Sequence, residues 1–234
     1  MTDYKQKAQE LLKEINLQSI QYWQEKQVQL LNLIINGDIR NFRSWVPLTD
    51  TMEITVNNYI GLEYGALPPK FIANLKEQSN TGIHQAYHLS QLSDYSDVKS
   101  VFEFGGGYGC LRKVFDQVIG PADYTIFDFP TLNLIQEYYL EGIDNTTLLN
   151  TSIPEKEVDL FIAMWSISEC PATFRNEVFS KVKAKKYLIA FQEEIEGIDN
   201  TTYFKDLQIP GVKFTIKKID HLYGGQFYMI GERI

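Results

Sequence analysis

The sequence predicts an α/β fold in which a helical region precedes a mostly parallel β-sheet. Before Val98, apolar residues recur at helical spacing. After Val98, short apolar runs alternate with stretches of helical pattern. The runs are apolar without alternation, which is typical of strands that are buried on both faces of a parallel sheet.

The amino-terminal part of the chain is predicted to be helical. Thr2 is expected to cap a first helix, and the second carries an apolar series that ends before Gly37. The predicted helices cover residues 2–15, the segment with Ile20, Trp23, Val28, Leu31 and Ile34, and then 51–64, 69–78 and 82–92. We expect residues 1–80 to form a helical region that packs as a cap on residues 81–234, or that joins two copies of the chain through a helical hairpin.

Seven strands are predicted after Val98. The first five are expected to be parallel and joined by crossover helices, and the last two to form an antiparallel hairpin. The strand runs are "VKSVFEF", "DYTIFDF", "TTLLN", "VDLFIAM", "KKYLIAF", "VKFTIKKI" and "GQFYMIGER". If the sixth strand is parallel to the first five and the seventh is antiparallel, the hairpin turn "DHLYGG" lies at the carboxyl-end rim of the sheet.

Composition excludes several classes of partner. A formal net charge of -8 and a pI near 5.0 disfavour nonspecific binding to nucleic acid or to an anionic membrane. No apolar run reaches the roughly 20 residues that span a bilayer, and the amino terminus has no signal-peptide core, so we expect a cytoplasmic protein. Cys110 and Cys170 lack the CxxC spacing of a zinc site. A small-molecule partner is the remaining expectation.

The stretch "VFEFGGGYGCL" indicates a ligand site, because it follows the first predicted strand and precedes a helix. Glycines let a ligand approach the backbone without obstruction by Cβ atoms. A dinucleotide fingerprint fails at Cys110, where glycine or alanine is required. A phosphate-binding loop fails at the same place, since Cys110, Leu111 and Arg112 replace Gly, Lys and Ser or Thr.

The pattern acid-x-Gly-x-Gly-x-Gly fits without a gap on Glu103, Gly105, Gly107 and Gly109. It resembles the first motif of class I S-adenosylmethionine-dependent methyltransferases. Asp128 ends the next predicted strand, where a carboxylate can accept hydrogen bonds from a ribose diol. The alternative for Asp128 is the N-cap of the helix that follows.

A narrower resemblance joins "VFEFGGGYGCL" to "YTIFDFPTLNLIQEYYL", "MWSISECP", "IDNTTYF" and "GQFYMIGERI". Together they resemble the bacterial putative sugar O-methyltransferases. The resemblance implies a Rossmann-like seven-stranded sheet of order 3-2-1-4-5-7-6 with an antiparallel last strand, and methyl transfer from S-adenosylmethionine to a sugar hydroxyl in glycan biosynthesis. The expected cofactor-binding residues are Glu103, Gly105, Gly106, Gly107, Gly109, Asp128, Phe129, Asn150, Ser152, Trp165 and Ser166.

Transfer to a hydroxyl calls for a base at the carboxyl-end rim of the sheet. His221, in the hairpin turn, is the expected base, and Glu169 is expected to face the acceptor. The expected acceptor-binding residues are His84, His88 and Tyr223, although a helix-packing role is favoured for His84 and His88, which lie one helical turn apart. Oxygen ligands for magnesium could come from the acidic residues after the fifth strand, although a solvated acidic loop is favoured: Glu193, Glu194, Glu196 and Asp199.

Two alternatives remain open at this point. The acceptor of the methyl group could be another small hydroxylated or amine metabolite. The chain could also be an inert adenosyl-ligand-binding subunit that a partner meets through the amino-terminal helices.

Overall fold

The computed structural model describes residues 4–13, 21–36, 59–76 and 79–234. The helices of these ranges are α1 (Tyr4–Lys13), α2 (Gln21–Ile35), α3 (Tyr59–Ala66), α4 (Pro69–Asn74), α5 (Asn80–Leu89), α6 (Cys110–Val118), α7 (Pro130–Tyr139), α8 (Ala172–Lys181) and α9 (Asn200–Asp206). The strands are β1 (Ser100–Phe104), β2 (Asp123–Phe127), β3 (Thr146–Leu149), β4 (Lys156–Met164), β5 (Val182–Gln192), β6 (Glu194–Ile195), β7 (Ile198–Asp199), β8 (Val212–Lys218) and β9 (Gln226–Arg233).

The seven long strands form one sheet of order β3-β2-β1-β4-β5-β9-β8. The first five are parallel, and β9 is antiparallel to both β5 and β8. This confirms the predicted strand order, with β8 and β9 as the sixth and seventh strands. The short β6–β7 ribbon after β5 was not predicted.

The sheet has a buried layer on each face, as its unalternating apolar strands require. Val101 and Glu103 of β1 face one layer, whereas Phe102 and Phe104 belong to the other. Val101, Phe102 and Phe104 are apolar, and Glu103 is the exception. The sequence therefore places one acid in the core directly before the glycine-rich loop.

The described amino-terminal helices pack on the sheet domain. Helices α1 and α2 contact each other and α7, and α3 contacts α5. Ala8 of α1 and Leu30, Leu31 and Ile34 of α2 are buried in the same apolar cluster as Val101. None of the described helices is both long and apolar enough to cross a membrane.

Several helix bounds differ from the prediction. Helix α5 begins at Asn80 rather than at residue 82, because the Ser79 side chain caps it by accepting a hydrogen bond from the Gly82 N–H at 3.1 Å. Helix α4 stops at Asn74, before an extended Leu75. The predicted cap Thr2 and residues 14–20, 37 and 51–58 lie outside the described residues.

Candidate cofactor and acceptor sites

The glycine-rich loop turns through three left-handed residues between β1 and α6. Gly105, Gly107 and Gly109 have φ values of 74°, 56° and 97°. A Cβ atom on Gly105 would lie 2.2 Å from the Ser166 Cβ, so close packing requires glycine there. A Cβ atom on Gly107 would meet nothing within 4 Å. Gly107 therefore presents bare backbone to open space, which is the arrangement that a ligand needs.

Asp128 ties this loop to the end of β2. Its Oδ1 accepts a hydrogen bond from Phe129 N at 2.8 Å, and its Oδ2 accepts from Gly107 N at 2.9 Å and from Gln136 Nε2 at 3.1 Å. Gln136 Nε2 also donates to the Gly107 carbonyl at 2.7 Å. The N-cap residue of α7 is Phe129, so the alternative assignment of Asp128 as that cap is wrong.

Two buried acids lie beneath the loop. Burial raises the pKa of Glu103 to about 8 and that of Asp128 to about 7. The charge of Asp128 adds to the effect on Glu103, while the nearby Tyr124 hydroxyl and Arg112 oppose it. Within the described part of the chain, Glu103 Oε2 has no hydrogen-bond partner. A positively charged ligand group would stabilise the ionised form of both acids.

A chain of amides extends this site toward the end of β3. Asn150 Nδ2 donates to Asn133 Oδ1 at 2.8 Å, and Asn133 Nδ2 donates to Gln136 Oε1 at 2.9 Å. Asn133 and Gln136 are buried polar residues of α7 that the sequence analysis missed. Their positions within a helical pattern carry no signal of this role. Gly106 is half-buried, and Ser152 is exposed beyond Asn150.

The segment after β4 is held firmly against its neighbours. Trp165 has a φ of 62°, which is unusual for a bulky residue and marks local strain. Its Nε1 donates to Gln226 Oε1 at 2.5 Å, and its ring stacks on His84 with centroids 5.8 Å apart. The Ser166 hydroxyl donates to the Phe104 carbonyl, which joins the ends of β4 and β1.

Glu169 contacts the amino-terminal region. Its Oε2 accepts a hydrogen bond from Trp23 Nε1 of α2 at 2.5 Å. Burial raises the pKa of the Glu169 carboxyl; the hydrogen bond from Trp23 lowers it, and the charge of Glu196 raises it further. This contact was not expected from the sequence, because nothing in the pattern of α2 indicates a carboxylate partner.

The loop between β8 and β9 lies at the carboxyl-end rim, since Gln226 at the start of β9 pairs with Gln192 at the end of β5. There, Glu63 of α3 accepts hydrogen bonds from His221 Nε2 at 2.7 Å and from His84 Nδ1 at 2.8 Å. Glu63 is 1% exposed. The structure thus brings together two predicted histidines around an acid that the sequence analysis did not single out.

His88 lies deeper than His84, in the core side of α5. Its Nδ1 is hydrogen-bonded to the Tyr228 hydroxyl at 2.5 Å, and its Nε2 has no partner among the described residues. Burial, with the charges of His84 and His221, lowers the pKa of His88 well below its ordinary value. His88 is therefore neutral near pH 7.

Tyr223 and the acidic loop stand at the outer edge of the rim. The Tyr223 side chain is 82% exposed. Asp199 caps α9 by accepting hydrogen bonds from the backbone N–H and hydroxyl of Thr202, at 3.0 and 2.6 Å. Across the described ranges, no group of three or more His, Cys, Asp or Glu side chains is arranged to hold a metal ion.

No family model matches the chain, and no curated protein matches its sequence. Its structure is similar to those of a glycopeptide N-methyltransferase, MtfA. The structure of MtfA alone has a TM-score of 0.52 and 12% identity, with 65% of this chain and 90% of MtfA covered. With S-adenosyl-L-methionine bound, the TM-score is 0.51, the identity 11% and the coverage 64% and 87%. The sinefungin complex has a TM-score of 0.51 and 10% identity, with coverage of 65% and 86%. At these identities the likeness shows the fold alone, so the chain has the Rossmann-like fold of a methyltransferase.

Proposed function

We propose that the protein is an S-adenosylmethionine-dependent methyltransferase that acts on a hydroxyl group of a sugar. The observation that carries the proposal is the open backbone at Gly107, whose N–H is held by Asp128 at 2.9 Å while no atom occupies the position of a Cβ. This arrangement stands at the carboxyl end of β1, where α/β sheets of this kind bind their ligands. The fold shared with the methyltransferase MtfA supports it.

The residues of this site fit the cofactor chemically. The glycine loop admits the methionine part, and the unpaired Glu103 Oε2 lies beneath it as an acceptor for a cationic group. Asp128 and Phe129 follow β2, where the ribose and adenine would lie, and the amide of Asn150 marks the outer end of this region. Bound S-adenosylmethionine supplies an electrophilic methyl group.

The histidine cluster supplies a base for the acceptor. Glu63 fixes the proton of His221 on Nε2, so a proton taken from an acceptor hydroxyl goes to Nδ1. The imidazolium that forms is stabilised by the carboxylate of Glu63, which touches the ring rather than the acceptor. His221 is thus the proposed general base, and Glu63 is a positioning residue.

The surroundings of this cluster suit a sugar. Tyr223 offers an exposed aromatic face to pyranose C–H groups, and the linked side chains of Trp165, His84 and Gln226 lie near the same rim. Trp165 is only half-buried. It follows β4, the neighbour of β1, and its ring stacks on His84. This position is consistent with a contact to both cofactor and acceptor.

Two measurements test the proposal. Calorimetry with S-adenosylmethionine, S-adenosylhomocysteine and NAD should give binding of the first two and weaker or no binding of NAD; tighter binding of NAD would overturn the choice of cofactor. Transfer of a labelled methyl group should then be followed to nucleotide sugars and oligosaccharides, with phenols and small amines as comparison acceptors. Binding of the cofactor with transfer only to phenols or amines would keep the methyltransferase and reject the sugar.

A further inference from the structure

Trp23 of α2 contacts two segments of the sheet domain, one after β2 and one after β4. Strand β1 lies between β2 and β4 in the sheet. The Trp23 ring packs on Phe129, which follows β2, with centroids 6.2 Å apart, and its Nε1 donates to Glu169, which follows β4, at 2.5 Å. Trp23 thus joins segments on either side of β1. A ligand bound by the glycine-rich loop, which follows β1, would lie between these segments and against the Trp23 side chain.

Gln27 is one helical turn beyond Trp23 and contacts the start of α7. It is 2% exposed, and its Oε1 lies 3.4 Å from the Thr131 hydroxyl at the start of α7. Its Nε2 is buried without a hydrogen-bond partner among the described residues. A buried donor left unpaired loses the hydrogen bond that it would make to water, so such groups are rare in native proteins and call for an explanation.

Apolar side chains in the second half of α2 anchor this helix, so its position does not depend on Trp23 and Gln27. Leu30, Leu31 and Ile34, all in its second half, are buried in the main apolar cluster. Gln29 of the same helix is exposed. Apolar contacts of these three residues therefore anchor α2, and the buried Gln27 Nε2 is left with a donor that no described residue pairs.

We propose that α2 completes the cofactor site, with Gln27 Nε2 donating a hydrogen bond to the adenosine part of the ligand and Trp23 forming the roof above it. The inference rests on the proposed function. The adenosine part is selected because Gln27 lies beside Thr131, close in sequence to Asp128 and Phe129 after β2, and adenosine offers ribose oxygens and ring nitrogens as acceptors. The methionine part would lie at β1, under Trp23.

The test compares Gln27→Met with Gln29→Met, which makes the same change on the exposed face of α2. Calorimetry with S-adenosylhomocysteine and with adenosine measures the affinity of each protein. We expect Gln27→Met to weaken both ligands by a similar factor, roughly 3- to 10-fold, and Gln29→Met to leave both unchanged. A Gln27→Met protein that binds both ligands like the wild type overturns the inference.

Binding of S-adenosylhomocysteine by the wild-type protein distinguishes a failure of this inference from a failure of the proposed function. Absence of any binding of S-adenosylhomocysteine by the wild type overturns the proposed function, and the inference with it. Binding by the wild type with no effect of Gln27→Met overturns the inference alone. If Gln27→Met does not fold, amide hydrogen exchange of the wild-type protein is measured instead. S-adenosylhomocysteine should slow the exchange of residues 21–35. Unchanged exchange would show that α2 does not cover the ligand and would overturn the inference.

Discussion

Glu63 holds two histidines that come from different parts of the fold. His84 belongs to α5 and His221 to the loop between β8 and β9, and both ring nitrogens lie within 3 Å of the one buried carboxyl. A buried carboxylate is costly unless it is hydrogen-bonded, and these two donors satisfy it. The amino-terminal region thus supplies an acid to a cluster at the rim of the sheet domain.

Replacing Glu63 by Gln should impair turnover more than cofactor binding. The amide has one acceptor oxygen, so it can accept from one histidine only, and its NH₂ group would face the other ring. We expect kcat to fall about 100-fold, as when a general base is disabled, while the affinity for S-adenosylhomocysteine stays unchanged.

Steady-state kinetics and calorimetry measure these two quantities. Glu177→Gln, on the exposed face of α8, is the matched control. Glu63→Asp, which keeps the charge, should recover part of the rate and the wild-type pH profile. A Glu63→Gln enzyme with an undiminished kcat would remove Glu63 from the proposed proton transfer.

Replacing Gly107 by Ala should separate stability from binding. Its φ of 56° strains any side chain, at a cost of about 1–2 kcal/mol, but the new Cβ would meet no atom of the protein. The protein should therefore fold, with a methyl group projecting into the proposed cofactor site. We expect the affinity for S-adenosylhomocysteine to fall at least about tenfold, measured by calorimetry.

Gly142→Ala is the control for that experiment. Gly142 has a φ of 82° and also has nothing within 4 Å of a Cβ position. It precedes β3 and so lies at the amino end of the parallel strands, whereas Gly107 lies at the carboxyl end. Both variants should lose similar stability in urea, and only Gly107→Ala should lose affinity. Equal affinities in the two variants would place the ligand elsewhere.

The strands and the glycine-rich turn were predictable because each depends on residues near one another in the chain, whereas the order of the strands was implied by the family resemblance. Apolar runs give the strands, and the spacing of Glu103, Gly105, Gly107 and Gly109 gives the turn. The position of Asp128 directly after β2, the strand next to β1, was also predictable. What the sequence could not indicate is that Asp128 already receives three hydrogen bonds from the protein.

Residues that act across the fold escaped prediction. An isolated polar residue in a helix is ordinarily solvated, so the sequence pattern does not indicate burial for Glu63, Gln27 or Gln136. Their burial depends on which face packs against a segment far away in the chain. Glu169 illustrates the same limit, because its partner Trp23 lies in a helix whose docking no local pattern determines.

The raised pKa of Glu103 should make the protein less stable as the pH rises, and Glu103→Gln should remove this dependence. Folding raises this pKa from 4.5 to about 8, so the folded state binds the proton more tightly than the unfolded state does. Stability contributed by the protonated form is complete below the unfolded pKa and is lost as the pH rises toward about 8. Glu103→Gln should therefore gain stability in urea relative to the wild type as the pH is raised from 5 to 8.5. An equal shift at both pH values would contradict the raised pKa, and Glu177→Gln should show no shift at either.

Removing the Tyr228 hydroxyl should destabilise the core beside the proposed acceptor site. Tyr228 is the hydrogen-bond partner of His88 Nδ1, and His88 Nε2 is already without one among the described residues. Tyr228→Phe would leave a fully buried imidazole with both nitrogens unpaired, so we expect a loss of about 1–3 kcal/mol in the free energy of unfolding, measured with urea. Tyr203→Phe is the control, because its hydroxyl bonds Asn176 at an exposed site and its loss should be smaller. Equal stability of the two variants would show that the hydrogen bond between Tyr228 and His88 makes no net contribution to folding.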